Sequence, residues 1–143
     1  MSLDLDPIPA ELFGGGHVVH LATLRSDGAP QSRPVWTIVH DGRIVFFTQP
    51  SSAKARHLAH DPRVSLSVAD KRNSYRSAWV RGRIGRTIEG EAALAIIDLI
   101  SDAYIGTPFP MRSGNVYVVD AEAQGAAELP FEDKDAGAGT AAT

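Results

Sequence analysis

The chain has no cysteine. Disulfides, thiolate metal sites and cysteine nucleophiles are therefore excluded. No apolar run approaches the ~18 residues needed to cross a bilayer. Met1–Asp6 is acidic and lacks the basic-then-apolar layout of a signal peptide, so the expectation is a cytoplasmic protein that does not engage a membrane. There is no nucleophile elbow, no glycine-rich dinucleotide turn and no serine with a recognisable histidine–acid pair. Lysine is scarce, with 3 against 11 arginines, which reads as base-composition bias rather than chemistry. What is present is 143 residues, 43% apolar and 22% charged, enough for one domain with a real core.

The net charge of −3 hides an asymmetry. Residues 1–24 are acidic, residues 25–86 carry 12 basic against 4 acidic side chains, and residues 87–143 carry 2 basic against 10 acidic. Two readings fit a basic middle in an acidic protein: an anionic ligand held by the centre of the chain, or internal pairing of the two signs.

Local pattern sets the elements. Pro7–Gly16 reads as a short helix stopped by Gly14, Gly15 and Gly16. Val18–Leu24 reads as a strand, and Gln31–His40 as a longer one in which Pro34 demands a bulge or an unpaired edge. Asp41-Gly42 joins it to Arg43–Thr48, a strong hairpin signal because both turn positions need positive φ. Ser51–His60 shifts to helical period, with Ser51 or Ser52 as cap, and Asp61-Pro62 ends it. Arg63–Ala69 alternates as a half-buried strand should. Tyr75–Ile88 is a long strand with bends expected at Gly82 and Gly85. Glu89–Tyr104 is a helix with an apolar stripe of Ala93, Ile97, Ile100 and Tyr104, and Asn115–Asp120 is a final strand. Ala136–Thr143 is expected to be disordered. This order favours a mainly β (α+β) barrel with flanking helices over a parallel α/β sheet.

Three stretches bear chemistry. A strand ending at Thr48 leads through a loop into a helix that opens with Ser52 and Lys54. A helix N-terminus presents free N–H groups to an anion, and Arg56 lies two residues on. The plain alternative is a serine cap with solvated cations. Arg33-Pro34-Val35-Trp36-Thr37 offers backbone groups freed by the proline and a flat wall at Trp36, against the alternative of core packing. Arg76, Arg81, Arg83 and Arg86 crowd one strand, but no RNA-binding motif accompanies them, so a nucleic-acid partner is disfavoured. His57 and His60 with Asp61 lack further ligands for a metal and read as solvated helix histidines.

His20-Leu21-Ala22-Thr23-Leu24 with Asp27-Gly28-Ala29-Pro30, Arg33-Pro34-Val35-Trp36, Phe46-Phe47-Thr48 with Ser52 and Lys54, and Asp61-Pro62-Arg63-Val64-Ser65 resemble the pyridoxamine-phosphate-oxidase-like split-barrel flavin-binding family over about residues 10–120. The likeness is to its small actinobacterial members that use FMN or a deazaflavin. It implies a six-stranded antiparallel split β-barrel spanning residues 17–120, a lead-in over residues 1–16 and a tail over residues 121–143. It further implies a homodimer with the cofactor between subunits. Carried over by position, Arg33, Pro34, Val35, Trp36 and Thr37 would line the ring, Thr48, Ser52 and Lys54 would hold the phosphate, and Ser77 would reach the cofactor from a following strand. The family's arginine before the phosphate lysine falls at Ala53 here; either Arg56 would compensate, or the cofactor would be the deazaflavin, whose phosphate and acidic tail need basic neighbours. The family's substrate lysine falls at Ile38, and its C-terminal arginine–histidine motif has no counterpart, so pyridoxamine-phosphate oxidation itself is not expected. The resemblance implies an oxidoreductase that uses FMN or the deazaflavin coenzyme F-420 on a small conjugated molecule. The alternative is a non-catalytic binder of flavin, haem or a tetrapyrrole.

Overall fold

The computed structural model describes residues 2–134. The expectation for Ala136–Thr143 lies outside them. The elements are α1 (Pro7–Gly14), β1 (Val19–Leu24), β2 (Pro30–Val35), β3 (Thr37–His40), β4 (Arg43–Thr48), α2 (Ala53–His60), β5 (Arg63–Asp70), β6 (Asn73–Ile88), α3 (Gly90–Ile105) and β7 (Asn115–Glu128).

The strands form one antiparallel sheet in the order β2-β1-β5-β6-β7-β4-β3. Its two outermost strands, β2 and β3, are consecutive in the chain, with only Trp36 between them. One residue spans no more than about 3.6 Å, so the sheet must curl until its edges meet. The result is a split barrel. The sequence-based strand Gln31–His40 is thus two strands on opposite edges, which makes the count seven rather than six. Pro34 sits on the edge strand β2, where a missing donor is tolerated.

The barrel interior is filled by Leu21, Phe46, Leu66 and Val80, with Leu12 and Phe13 of α1 closing one end. On the outside of β4 and β7, Val45, Val116 and Val118 pack under Ala93, Ile97 and Ile100 of α3. Both faces of β4 are therefore buried, which is why Ile44–Phe47 is a continuous apolar run. Each such side chain contributes ~1.5–3 kcal/mol by leaving water.

Asp41 and Gly42 make the expected tight hairpin with φ of 51° and 77°. The β6–β7 register shifts between Arg81 and Gly82 and between Ile84 and Arg86, where bends were expected. A Cβ on Gly82 would stand 2.0 Å from the Asp120 carbonyl oxygen, so only glycine fits.

Strand β7 runs eight residues past Asp120, to Glu128. Residues 121–128 therefore belong to the sheet and not to a tail. Their alanines, with Gly125, show no apolar alternation, and pairing with Arg76–Gly82 alone defines the strand.

His17 follows the glycine triplet and is 4% exposed. Its Nδ1 accepts the Lys71 N–H at 3.1 Å. Burial lowers its pKa from the usual value, partly opposed by Asp70, while Lys71 and Arg72 act with burial. The unfolded chain therefore takes up a proton that the folded chain resists. The stability this group contributes is complete above about pH 6.5 and declines as the pH falls toward the lower, folded value. His17→Asn keeps an acceptor for Lys71 without the titration. Urea unfolding at pH 7 and pH 5 should show a smaller loss for this variant than for the parent, and equal losses would contradict the assignment.

Candidate functional site: a cationic and aromatic groove

Strand β4 ends at Thr48, whose hydroxyl donates to Ser52 Oγ at 2.9 Å. The same Oγ accepts the Ala55 N–H at 3.1 Å and caps α2. Both lone pairs of Ser52 are thus engaged, and its own O–H remains free to donate outward. The first N–H groups of α2, at Ala53 and Lys54, have no intrahelical acceptor. Lys54 forms no ion pair among the described residues and lines the groove beside this terminus. Arg56 turns back to donate to the Ser51 carbonyl at 2.9 Å and is exposed.

Trp36 forms the opposite wall. One of its faces stacks on Tyr104, with centroids 5.0 Å apart and planes 8° from parallel. Phe109 meets it edge-on at 6.2 Å and meets Phe47 at 4.9 Å. The Tyr104 hydroxyl fastens the junction: it accepts the Thr37 N–H at 3.0 Å and donates to the His17 carbonyl at 2.6 Å. Burial raises the Tyr104 pKa, so it stays protonated as this donor. The Thr37 hydroxyl donates to the Phe13 carbonyl at 2.6 Å.

The groove between these walls has a volume of about 300 Å³ and is lined by Pro34, Val35, Trp36, Phe47, Thr48, Gln49, Lys54, Phe109 and Met111. Of the residues expected from sequence, Pro34, Val35, Trp36, Thr48 and Lys54 come together here, with Ser52 bonded to Thr48. Arg33 is exposed on β2, next to Pro34 but not in the lining. Thr37 is wholly buried and serves the core. Ser77 lies on β6 opposite Ala69 and Ala127, on the outer sheet face with Trp79. Its position is remote from the groove by topology. Gln49, Phe109 and Met111 are the lining residues that sequence reasoning missed. Their one signal is an apolar pair, Phe109 and Met111, in a polar and proline-rich loop.

The structure divides the basic middle segment between its two readings. Arg25, Arg43, Arg63, Arg72, Arg76 and Arg83 pair with acids, Arg76 with Glu11, Asp70 and Glu128 together. Among the described residues Arg33, Lys54, Arg56, Lys71, Arg81 and Arg86 do not; of these, Lys54 lines the groove, Arg33 and Arg56 neighbour its lining in sequence, and Arg81 lies over the Trp79 ring. His57 is not simply solvated, since its Nδ1 lies 2.9 Å from the Thr23 hydroxyl.

The family described as pyridoxamine 5′-phosphate oxidase matches residues 10–132. The chain belongs to this family. An F-420 reductase is 28% identical, with a TM-score of 0.72, covering 80% of this chain and 94% of that one. A conserved hypothetical protein from Mycobacterium tuberculosis is 23% identical, with a TM-score of 0.75 and 92% of each chain covered. A heme binding protein from Mycobacterium smegmatis is 22% identical, with a TM-score of 0.64, covering 92% of this chain and 58% of that one. No curated protein matches by sequence. The same fold thus occurs in an F-420 reductase and in a heme binding protein. No helix among the described residues is long and apolar enough to cross a membrane.

Tyr104→Phe leaves a buried N–H and a buried carbonyl without their partner. Denaturant unfolding should show a loss of ~1–3 kcal/mol. A variant as stable as the parent would show that the junction does not need this hydroxyl.

Proposed function

We propose that the groove binds a phosphorylated redox ring, FMN or the deazaflavin coenzyme F-420, and that the protein is an oxidoreductase acting on a small conjugated molecule. One observation carries this reading: Lys54, unpaired among the described residues, and the N-terminus of α2 capped by Ser52 share a groove with the open side of a tryptophan. The donor set suits a phosphate, and the flat aromatic wall suits a planar ring. Ser52, Lys54 and the first N–H groups of α2 would hold the phosphate, while Pro34, Val35 and Trp36 would flank the ring. Arg33 and Arg56, exposed on either side, would meet any further negative charge on the ligand.

When bound, such a group supplies hydride or electron transfer itself. The side chains then position it and exclude water. Phe47 and Phe109 do the latter, being in edge contact and without polar atoms. Ile38 packs into the α3 core and so cannot serve as the family's substrate lysine does. This supports an activity other than pyridoxamine-phosphate oxidation. The likeness to an F-420 reductase supports the deazaflavin, and the groove chemistry accommodates either.

A second copy of the chain would complete the site. The outer face of β5 and β6 carries the small residues Ser65, Ser67, Ala69 and Ser77 with Arg63, Arg81 and Arg83, and the Arg81 guanidinium lies 5.1 Å over the ring of Trp79, which is 40% exposed. Gly125 lies against the Trp79 ring, where a Cβ would stand 2.5 Å from Nε1. This open face suits a partner, and Ser77 would reach a cofactor only from a second copy.

Titration of the purified protein with FMN and with F-420, followed by fluorescence and calorimetry, tests the reading. One of the two should bind, and Lys54→Ala should weaken it by ~1.5–3 kcal/mol, the scale of a charged hydrogen bond. Unchanged affinity removes Lys54 from the site. A Soret band on adding haem, with no flavin or deazaflavin binding, would favour the non-catalytic alternative. Light scattering at micromolar concentration should give twice the chain mass, and a monomer would contradict the shared site.

A further inference from the structure

The loop from Thr107 to Ser113 joins α3 to β7 and supplies Phe109 and Met111 to the groove. Hydrogen bonds hold it at three points, the first being Ser101 of α3, whose hydroxyl donates to the Thr107 carbonyl at 2.7 Å. Asp98 of α3 accepts the Phe109 N–H at 3.1 Å and Arg112 Nη1 at 2.8 Å through Oδ1, and Arg112 Nη2 at 3.1 Å through Oδ2. Arg112 Nη1 also donates to the Phe109 carbonyl at 2.9 Å, so one carboxylate and one guanidinium bracket Phe109 from both sides. At the far end, the Ser113 hydroxyl donates to Gln49 Oε1 at 2.7 Å while Gln49 Nε2 donates to the Ser113 carbonyl at 2.8 Å.

Between these fastenings the loop presents no charge to the groove. Among the described residues, Lys54 is the only charged one in the lining. The groove therefore has a cationic end and an uncharged end, the latter walled by Trp36, Phe47, Phe109 and the half-exposed Met111. An ionised group placed against Phe109 and Met111 would lose water and gain no partner. A flat neutral molecule meets aromatic edges and a polarizable thioether there.

We propose that Phe109 and Met111 select an uncharged planar molecule as the occupant of this end, and that Asp98 is the positioning residue that holds them in place. The proposal deepens the groove reading above and rests on it for the identity of the site, but its test does not need the cofactor. An ion pair as exposed as Asp98–Arg112 adds little to global stability, so its value lies in where it fixes the loop.

The probe is menadione, a neutral planar quinone, read by quenching of Trp36 fluorescence in the full chain. A Trp79→Phe chain, in which Trp36 is the one tryptophan, shows that the quenching comes from the groove. The parent should bind menadione better than its sulfonated analogue. Asp98→Asn should weaken menadione binding about tenfold and speed tryptic cleavage after Arg112, with little change in thermal midpoint. Asp98→Glu should recover most of the affinity. Met111→Lys should shift preference toward the sulfonate. Unchanged affinity and cleavage in Asp98→Asn, a matched fall in stability and affinity with no rescue by glutamate, or no quenching in the parent would each overturn the proposal. A parallel FMN titration separates the two readings. If FMN and F-420 fail to bind while menadione binding still depends on Asp98, the cofactor assignment falls and this one stands.

Discussion

The fold depends on a single covalent constraint: the chain passes from one edge of the sheet to the other across Trp36 alone. Seven strands cannot meet that condition while flat. The curl it enforces creates the interior that Leu12, Phe13 and Phe46 fill, and it brings β2 beside the far ends of β4 and α2. The junction is also where hydrogen bonding is most demanding, because Thr37 is fully buried and belongs to no continuous strand with Val35. The Tyr104 hydroxyl meets the demand by joining the Thr37 N–H to the His17 carbonyl. Thus α3 secures the closure while its other aromatic contact, the stack on Trp36, shapes the groove. Closure and site are built from the same few side chains.

Electrostatics follows the same division of labour. Arg76 binds acids from α1, β5 and β7 and ties the lead-in helix to the barrel. Glu11 and Glu128 hold its pKa well above the ordinary arginine value, so it never releases its proton. Likewise, Arg112 keeps the Asp98 carboxyl below its usual range, and the loop clamp stays charged at neutral pH. With those cations committed, the free positive charge that remains on the groove side is Lys54, with Arg33 and Arg56 near it.

Much of this was legible in the residues. The Asp41-Gly42 turn, a cap at Ser51 or Ser52, the bends at Gly82 and Gly85 and the stripe on α3 each follow from local chemistry, and the structure has each in place, with Ser52 as the cap. Local pattern failed where the cause is not local. The break at Trp36 is invisible in Gln31–His40 because both halves are β-prone, and only the sheet order separates them. The second half of β7 was missed because alanine and glycine show no alternation, although β6 pairs with them throughout. At the site, Lys54, Ser52 and Trp36 stand out by type and spacing. Phe109 and Met111 do not, since a loop residue's target depends on where its anchors, Asp98 and Gln49, fall in three dimensions.

The two prolines of β2 have a consequence for self-association. The Arg25 N–H bonds to the Ala29 carbonyl, and counting in steps of two from that pair directs the N–H groups of Gln31, Arg33 and Val35 toward β1. Positions 30, 32 and 34 then look outward, and two of the three are proline. A rim with one outward donor cannot template an added strand from another molecule. Polymerisation by strand addition is closed at that rim.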